Sequence, residues 1–552
     1  MGMYLNPGSG RFQEAVNSDV FVDKSEMLLY LNSVVRTNQK CLSVSRPRRF
    51  GKTMAADMLC AYYGRESQAR NLFQQLKVAS RNANDKNACS WDAYLGAFDV
   101  VRVTMTDFLT SGESIDQAIA YLVEDVTDEL MEAYPEVRYG RRLDLRNVMS
   151  RVFAHTGVPF VIVIDEWDAP IRERRDDEAG QRAYLEFLRD WLKDKEYVAL
   201  AYITGILPIK KYGMHSALNM FDEYSMVAPL QLAPYTGFTE EEVRELCAAW
   251  GRDFGDMRSW YDGYEVKGSV PPRPGTEGKP MLEAPRYALY SPLSVVKALR
   301  SGVIANYWNH TETYKALEEY INLDFGGLKQ TVSLLMDGGR AKASLGTYQN
   351  DMATFHSRDD VLALLIHLGY LGWDSDQGEV FIPNREVMEV FRESTGTPEW
   401  GPAFRELEAS KELVRATWDM DEDKVATLLE AAHDRTGNTT YNSEAALSYA
   451  VQLAYYAAQL YYTSILELDS GKGYVDVCYL PAPRHPEVPA LVVELKYERE
   501  VQTALDQIRA RKYPSRLAHY AGNTLLVGVS YNKDARPNDS SFKRHSCRIE
   551  RA

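Results

Sequence analysis

Cys41-Leu42-Ser43-Val44-Ser45-Arg46-Pro47-Arg48-Arg49-Phe50-Gly51-Lys52-Thr53 is the stretch that decides the fold class. Cys41 to Ser45 is a short strand candidate, and Thr53 to Tyr63 has helical periodicity. The turn between them ends Gly-Lys-Thr, the last three residues of the phosphate-binding pattern GxxxxGK[ST], with Arg46 standing where the first glycine belongs. The chemistry explains what is kept. Gly51 lets the backbone curl so that N–H groups face phosphate. Lys52 neutralises β and γ oxygens, and the Thr53 hydroxyl is a ligand for Mg²⁺. Arg46, Arg48 and Arg49 add positive charge to the same loop and join the candidate nucleotide contacts. A basic turn before a helix can carry the same letters, so the loop needs a second half.

Phe160-Val161-Ile162-Val163-Ile164-Asp165-Glu166 is that second half. The run Val158 to Ile164 is apolar and β-branched, as buried parallel strands are, and it ends in two carboxylates. This is a Walker B arrangement. Asp165 is expected to hold Mg²⁺ through water, and Glu166 to polarise the attacking water as the catalytic carboxylate. A further strand candidate, Val198 to Ile203, runs into Thr204, a polar residue placed as a sensor of the γ-phosphate. Phe98 to Thr104 alternates like a strand, and Asp19 to Val35 looks helical. Strands separated by helices predict a parallel sheet with crossovers, and ATP with Mg²⁺ as its ligand.

The pattern changes after Pro234. Thr239 to Trp250 reads as a helix with Thr239 as N-cap and three glutamates in its first turn. Lys267 to Pro285 reads as a loop or hairpin. Helices are expected at Ser291 to Ser301, Thr313 to Ile321 and Val361 to Leu371, with no strong sheet pattern until Val380 to Ile382. From near Trp400 helices run to about His433, and Ser443 to Tyr462 reads as one long helix. Strands follow at Thr463 to Glu467, Tyr474 to Leu480, Ala490 to Lys496 and Thr524 to Val529, with a helix from Val501 to Arg511. The expected division is an α/β P-loop domain over 1–235, a mainly helical lid or connecting region over 236–400, and a second α/β domain over 401–552.

That last part carries its own constellation. In Glu494-Leu495-Lys496 the first and third side chains point to one sheet face, because strand side chains alternate. Asp476, on the preceding strand candidate, can join them. Two carboxylates and the carbonyl of Leu495 make a hard oxygen site for Mg²⁺ or Mn²⁺. Lys496 is then placed to orient or deprotonate water, which is the apparatus of metal-assisted phosphodiester hydrolysis. Gln507 on the following helix, Tyr513 beyond it and Glu444 on the preceding helix are within conceivable reach. Arg509, Arg511, Lys512 and Arg516 form a basic cluster suited to phosphate backbone. An ordinary cross-strand salt bridge gives the same ExK letters, but the apolar runs Leu491 to Val493 and Val475 to Val477 favour a buried sheet.

Composition bounds the rest. Of 552 residues, 45% are hydrophobic and 26% charged, a globular balance with material for several cores. Sixty-three Lys and Arg stand against 78 Asp and Glu, a net charge of −15, so the chain is no general polyanion binder, although a local basic groove can still hold nucleic acid. Six scattered cysteines without a CxxC pair exclude a disulfide scaffold and a Cys-based zinc ribbon, and fit a reducing, cytoplasmic setting. No apolar run nears the ~20 residues that span a bilayer. Met1 to Asn6 lacks the segments of a secretory signal, and no membrane partner is expected.

Taken together, these segments resemble the bacterial and archaeal family in which an N-terminal AAA-ATPase-like domain is fused to a C-terminal PD-(D/E)XK nuclease-superfamily domain. The resemblance runs through Phe21-Val22-Asp23-Lys24-Ser25, the Arg46 to Thr53 loop, Ile164-Asp165-Glu166-Trp167-Asp168-Ala169-Pro170 and Thr204-Gly205-Ile206. It continues through Trp260-Tyr261-Asp262-Gly263-Tyr264, Leu289-Tyr290-Ser291-Pro292-Leu293-Ser294 and Ile382-Pro383-Asn384 to Asp476, Glu494-Leu495-Lys496 and Ala504-Leu505-Asp506-Gln507-Ile508. It implies a restriction-endonuclease-like fold at the C-terminal end and makes Asp476, Glu494, Lys496 and Gln507 nuclease residues, with Leu495 a backbone ligand. The partner implied is nucleic acid, DNA ahead of RNA, with homo-oligomerisation left open. Mobile-element processing or defence is the role such fusions suggest. Trp167 stands where the family often has Tyr, Ser25 where it has Thr, and where Gly-Arg often precedes the nuclease Asp this chain has Gly473-Tyr474-Val475, which lacks the Arg. The alternative is a non-catalytic ATP switch whose nuclease-like end only binds nucleic acid or a protein partner.

Overall fold

The computed structural model describes residues 2–65, 69–82, 90–109, 114–209, 218–269, 283–308, 313–323, 325–436, 444–469, 474–510, 520, 522–532 and 544–552. They group into two compact units: Met1–Tyr320 with Lys342–Glu393, and Ile321–Ala341 with Ser394–Ala552. The stretch 236–400, expected as one connecting region, is divided between the two.

The first unit is built on five parallel strands: β1 Cys41–Ser45, β2 Asp99–Thr104, β3 Phe160–Asp165, β4 Val198–Gly205 and β5 Asp222–Tyr224. Their order across the sheet is β2-β3-β4-β1-β5, and every pair is parallel. All residues of β1, β3 and β4 are buried, which is why they read as unbroken apolar runs. Leu42, Val44, Val161, Val163, Leu200 and Tyr202 share a core with Met58, Leu59 and Tyr62 of the helix Lys52–Tyr63. Each fully buried aliphatic side chain there contributes ~1.5–3 kcal/mol. The sheet ends for Asp165, Gly205 and Ser45 lie side by side, since Asp165 pairs with Thr204 and Gly205 with Ser45.

Two local expectations need correction. The helix expected over Asp19 to Val35 begins only at Met27 and ends at Val34. Ahead of it Asp23 accepts the N–H groups of Ser25 (2.8 Å) and Lys77 (2.6 Å), and Ser25 accepts that of Val78 (3.0 Å). Short polar side chains bonded to backbone compete with helix formation. The middle region also holds an antiparallel sheet, of which only a loop or hairpin at Lys267 to Pro285 was expected: β6 Phe238–Thr239, β7 Tyr264–Lys267 and β8 Arg286–Tyr290, in the order β6-β8-β7. Strands of two to five residues are too short for a period of two to show. The expected helices appear as Glu240–Trp250, Pro292–Ser301, Thr313–Ile321 and Arg358–Leu368. Thr239 caps the first in a capping box with Glu242.

This sheet joins the P-loop unit through Phe50. The Gly237 N–H donates to the Phe50 carbonyl at 2.9 Å, and the Phe50 ring meets Tyr264 edge-on with centroids 5.4 Å apart. Gly263 has φ +127°, and a Cβ there would overlap the carbonyl oxygen of Pro383. Gly263→Ala is therefore expected to destabilise the protein by about 2–4 kcal/mol, through backbone strain and overpacking together. A denaturant midpoint equal to wild type would contradict that.

In the second unit the expected long helix Ser443 to Tyr462 is also corrected. The α-helix runs Glu444–Ala454, a 3₁₀ turn follows at Tyr456–Leu460, and a strand begins at Tyr462. Ser410 donates its hydroxyl to the Ala454 carbonyl (2.6 Å) and accepts the Ala457 N–H (2.8 Å), which closes the helix end. Five strands then lie in sequence order across one sheet: Tyr462–Asp469, Tyr474–Pro481, Ala490–Tyr497, Thr524–Tyr531 and His545–Arg551. All neighbours are antiparallel except Ala490–Tyr497 with Thr524–Tyr531, which are parallel and separated in sequence by the helix Val501–Ala510. Cys478, Val492 and Leu526 pack on Leu505 and Ile508 of that helix. Val477, Val493, Leu495 and Val527 face the other way, toward Leu413, Leu429 and Leu447. Among the described residues no helix is long and apolar enough to cross a membrane.

Candidate functional site

The first cluster forms where β1, β3 and β4 end, the crevice at which open parallel sheets place ligands. Arg46 N–H continues the β1–β4 ladder to the Gly205 carbonyl (3.0 Å), and Trp167 N–H does the same from β3 to Thr204 (3.1 Å). The loop then turns through Arg49 at φ +69° and Gly51 at φ +85° before the helix starts at Lys52. Gly51 is thus required for its left-handed backbone. Lys52 is 7% exposed, and its Nζ donates to the loop carbonyls of Arg46 (3.0 Å) and Pro47 (2.8 Å). Burial pushes the Lys52 pKa down to about 8, opposed first by Asp168 and then by Asp165.

Thr53, the residue after Lys52, is exposed on the loop side of this site. Asp165 is 1% exposed, and burial raises its pKa against Thr53, Lys52 and Arg102, which favour the charged form. Arg102 Nη2 lies 3.9 Å from Asp165 Oδ2 and pairs with Asp57 at 3.0 Å. Glu166 follows with φ +51°, its side chain 42% exposed. Thr53, Asp165 and Glu166 are therefore brought together around the loop.

The remaining candidates are placed differently. Arg46 is fully buried and donates Nη1 to the carbonyls of Ser45 and Tyr224, both at 2.8 Å, tying β1 to β5. Burial pushes its pKa down to about 10. Thr204 is fully buried as well and donates Oγ1 to the Val44 carbonyl (3.1 Å). Both side chains tie strand ends together in this structure. Arg48 and Arg49 are exposed on the loop. Sequence reasoning missed Arg172, which donates to Glu166 and to Asp168; the Asp168–Arg172 spacing of four residues was the available signal. It also missed a small apolar cavity of about 30 Å³ beside Gly51, between Phe12, Phe21, Phe50 and Phe238.

The second cluster lies in the other unit. The ladder between Tyr474–Pro481 and Ala490–Tyr497 is registered at Tyr479↔Leu491, Cys478↔Val492 and Val477↔Val493. Beyond it the Asp476 carboxylate takes the Leu495 N–H at 2.7 Å, so a side chain replaces the backbone partner. Glu494 (1% exposed) and Lys496 (4%) share the face of the helix Val501–Ala510. Lys496 Nζ donates to Glu494 Oε1 and to the Leu495 carbonyl, both at 3.0 Å. Asp476, Glu494, Leu495 and Lys496 thus meet. Gln507 is half-buried on the helix and makes no side-chain hydrogen bond to them among the described residues. Arg509 is ion-paired with Asp506 and Glu550. Arg511, Lys512, Tyr513 and Arg516 lie outside the described residues, as does the Glu444 side chain. Among the described residues no three His, Cys, Asp or Glu side chains gather as a metal site. The donor set here is two carboxylates and a carbonyl, hard oxygens that fit Mg²⁺ or Mn²⁺ completed by water.

Among curated proteins, the chain is 24% identical over 277 residues to the "Uncharacterized protein in vnfD 5'region" of Azotobacter chroococcum mcd 1, covering 49% of this chain and 47% of that one. The chain thus spans about half the length of the curated relative it matches. Among solved structures, the Aeropyrum pernix ORC2 protein, in ADPNP-ADP complexes, aligns over 69% of this chain and 96% of its own at 9% identity, with a TM-score of 0.24. A score that low defines no shared architecture. Residues 8–215, which hold four of the five parallel strands, match the family model described as predicted AAA-ATPase, and this part of the chain is similar to that family.

Proposed function

We propose that the chain binds and hydrolyses ATP at the Arg46–Thr53 loop, and that its C-terminal unit is a restriction-endonuclease-like nuclease of the PD-(D/E)XK kind. One observation carries the first half: Lys52, Thr53, Asp165 and Glu166 converge at adjacent ends of parallel strands. Lys52, released from the loop carbonyls, would hold the phosphates together with the loop N–H groups. Thr53 and Asp165 would hold Mg²⁺, which when bound neutralises phosphate charge. Arg48 and Arg49, exposed on the loop, are the arginines left to approach the nucleotide. Glu166 would take the proton of the attacking water.

The second half rests on Asp476 gripping the Leu495 N–H between Glu494 and Lys496. Asp476 and Glu494, with the Leu495 carbonyl, would hold Mg²⁺ or Mn²⁺, which supplies Lewis-acid chemistry to the phosphodiester. Lys496 would orient the attacking water, and Gln507 would join from the helix Val501–Ala510. The substrate on this reading is DNA ahead of RNA, in the cytoplasm, with control by ATP and a homo-oligomer as an open arrangement. Mobile-element processing or defence is the matching role. One observation favours the switch reading instead: Lys496 Nζ occupies both Glu494 Oε1 and the Leu495 carbonyl, a closed buried ion pair. Labelled DNA and RNA, incubated with ATP and Mn²⁺ varied independently, separate the two readings. Cleavage that needs Mn²⁺ supports the nuclease; binding alone under every condition supports the switch.

The ATPase half has its own test. Glu166→Gln is expected to bind ATP as wild type does but to turn it over ~10²–10⁴-fold more slowly, because an amide cannot accept the proton. Unchanged turnover removes Glu166 from the role.

A further inference from the structure

The acidic end of β3 continues Trp167-Asp168-Ala169-Pro170-Ile171-Arg172, and the reading of Glu166 as base leaves Asp168 and Arg172 without a task. Asp168 is wholly buried. Its Oδ2 accepts the N–H groups of Ile206 (3.0 Å) and Leu207 (2.9 Å), the residues that follow β4. The same oxygen accepts Arg172 Nε at 3.0 Å. Arg172 is 9% exposed, and the far side of its guanidinium donates Nη2 to Glu166 Oε2 at 3.1 Å. That is the one side-chain hydrogen bond Glu166 makes among the described residues, so it alone directs an otherwise half-exposed carboxylate. Asp168 takes three donors on Oδ2, while its Oδ1 is buried against Gly205 without a hydrogen-bond partner among the described residues.

The surrounding sequence is shaped for this contact. The short helix Ala169–Glu173, with Pro170 in its first turn and Asp168 as N-cap, puts Asp168 and Arg172 four residues apart on one face. Gly205 lets the end of β4 approach: a Cβ there would lie 2.5 Å from Asp168 Oδ1 and 2.9 Å from Trp167 Cδ1. The planar guanidinium reaches two carboxylates in different directions, which an ammonium on a flexible stem cannot do.

The geometry points to Asp168 and Arg172 as a positioning pair that orients Glu166 and ties that orientation to the backbone after β4. This rests on the reading of Glu166 as the base. The plain alternative is a buried ion pair that only fastens the short helix. Such a pair is complete with Asp168 and Arg172, and it has no use for the third contact to Glu166.

The test compares ATP affinity by calorimetry and steady-state ATPase rates in the full chain, for wild type, Arg172→Gln, Arg172→Lys, Glu166→Gln and the Glu166→Gln/Arg172→Gln double variant. Misplacing a catalytic group by about 1 Å can cost ~10²-fold, so Arg172→Gln is expected to lower kcat at least ~10-fold with ATP affinity changed less than ~3-fold. Arg172→Lys, which keeps a cation against Asp168, is expected to restore thermal stability but not kcat. In the Glu166→Gln background the Arg172→Gln change is expected to cost less than ~2-fold, since groups acting as a unit are not additive. Full additivity, or wild-type kcat in either Arg172 variant, overturns the pairing. If Arg172→Gln does not fold, Arg172→Lys carries the same cycle. Two outcomes belong to the underlying reading instead. A wild type without ATP binding removes the nucleotide site, and wild-type turnover in Glu166→Gln alone removes the base. A wild type that binds ATP without turnover overturns the positioning role and leaves binding intact.

Discussion

Lys52→Ala is expected to bind ATP at least ~100-fold more weakly than wild type, a loss of ~2.7 kcal/mol. The size follows from where the ammonium lies. Lys52 Nζ is held inside the loop by two carbonyls, those of Arg46 and Pro47, with no carboxylate in hydrogen-bond range among the described residues. Burial has already lowered its pKa to about 8. A cation held among neutral acceptors is poised for an anion, and truncating one partner of a desolvated charge contact typically costs ~2–5 kcal/mol. The exposed Arg48 and Arg49 keep part of the loop's positive charge, but solvent screens them. Removal of Lys52 also leaves the Arg46 and Pro47 carbonyls without that donor, so a thermal melt without nucleotide must accompany the calorimetry. Equal ATP affinity in the two proteins excludes Lys52 as the phosphate cation.

The loop and the acidic strand end were legible because their chemistry is local. Gly51 needs a left-handed backbone, Thr53 lies one residue past Lys52, and Asp165 ends an apolar strand; each fact is contained in a few adjacent letters. Arg46 was not legible. A third arginine in a basic loop reads as one more phosphate contact, whereas its side chain enters the sheet and binds the Tyr224 carbonyl, 178 residues away in sequence. Thr204 failed in the same way, because a polar residue at a strand end does not announce that its hydroxyl crosses to Val44. Of the small sheet β6-β8-β7 only the loop or hairpin at Lys267 to Pro285 was legible, because its strands are short and that connection is a long Pro- and Gly-rich stretch. In the second unit the period of two placed Glu494 and Lys496 on one face correctly as geometry, since Val492 packs on the helix side and Leu495 on the other. The helix end at Ala454 was hidden because Ser410, on a different helix, closes it.

Asp476→Asn is expected to abolish nucleic-acid cleavage, by ~100-fold or more, while leaving ATP binding unchanged. The substitution is chosen for what it preserves. The Asn side-chain oxygen can still accept the Leu495 N–H that Asp476 accepts at 2.7 Å, so the strand end keeps its shape. What disappears is one of two anionic oxygen donors, and a hard divalent cation depends on such donors. Loss of the ion's charge stabilisation at the phosphodiester is worth several kcal/mol, and 2.7 kcal/mol is already ~100-fold. Lys496→Ala would be a poorer probe. It leaves Glu494, 1% exposed, as a buried carboxylate without its ammonium, and breaking a buried pair in this way costs ~3–5 kcal/mol of stability, which would mimic loss of activity. Binding of DNA to Asp476→Asn is expected to persist and to weaken steeply as salt rises, because phosphate contacts release counterions whether or not the metal is held. Arg509 is expected to contribute less to that binding than its position suggests, since Asp506 and Glu550 already pair with it. Asp476→Asn cleaving DNA at the wild-type rate in Mn²⁺ would remove the metal role from Asp476. A wild type that binds DNA but never cleaves it would make the Lys496–Glu494 pair a structural closure, with the C-terminal unit a docking module under ATP control.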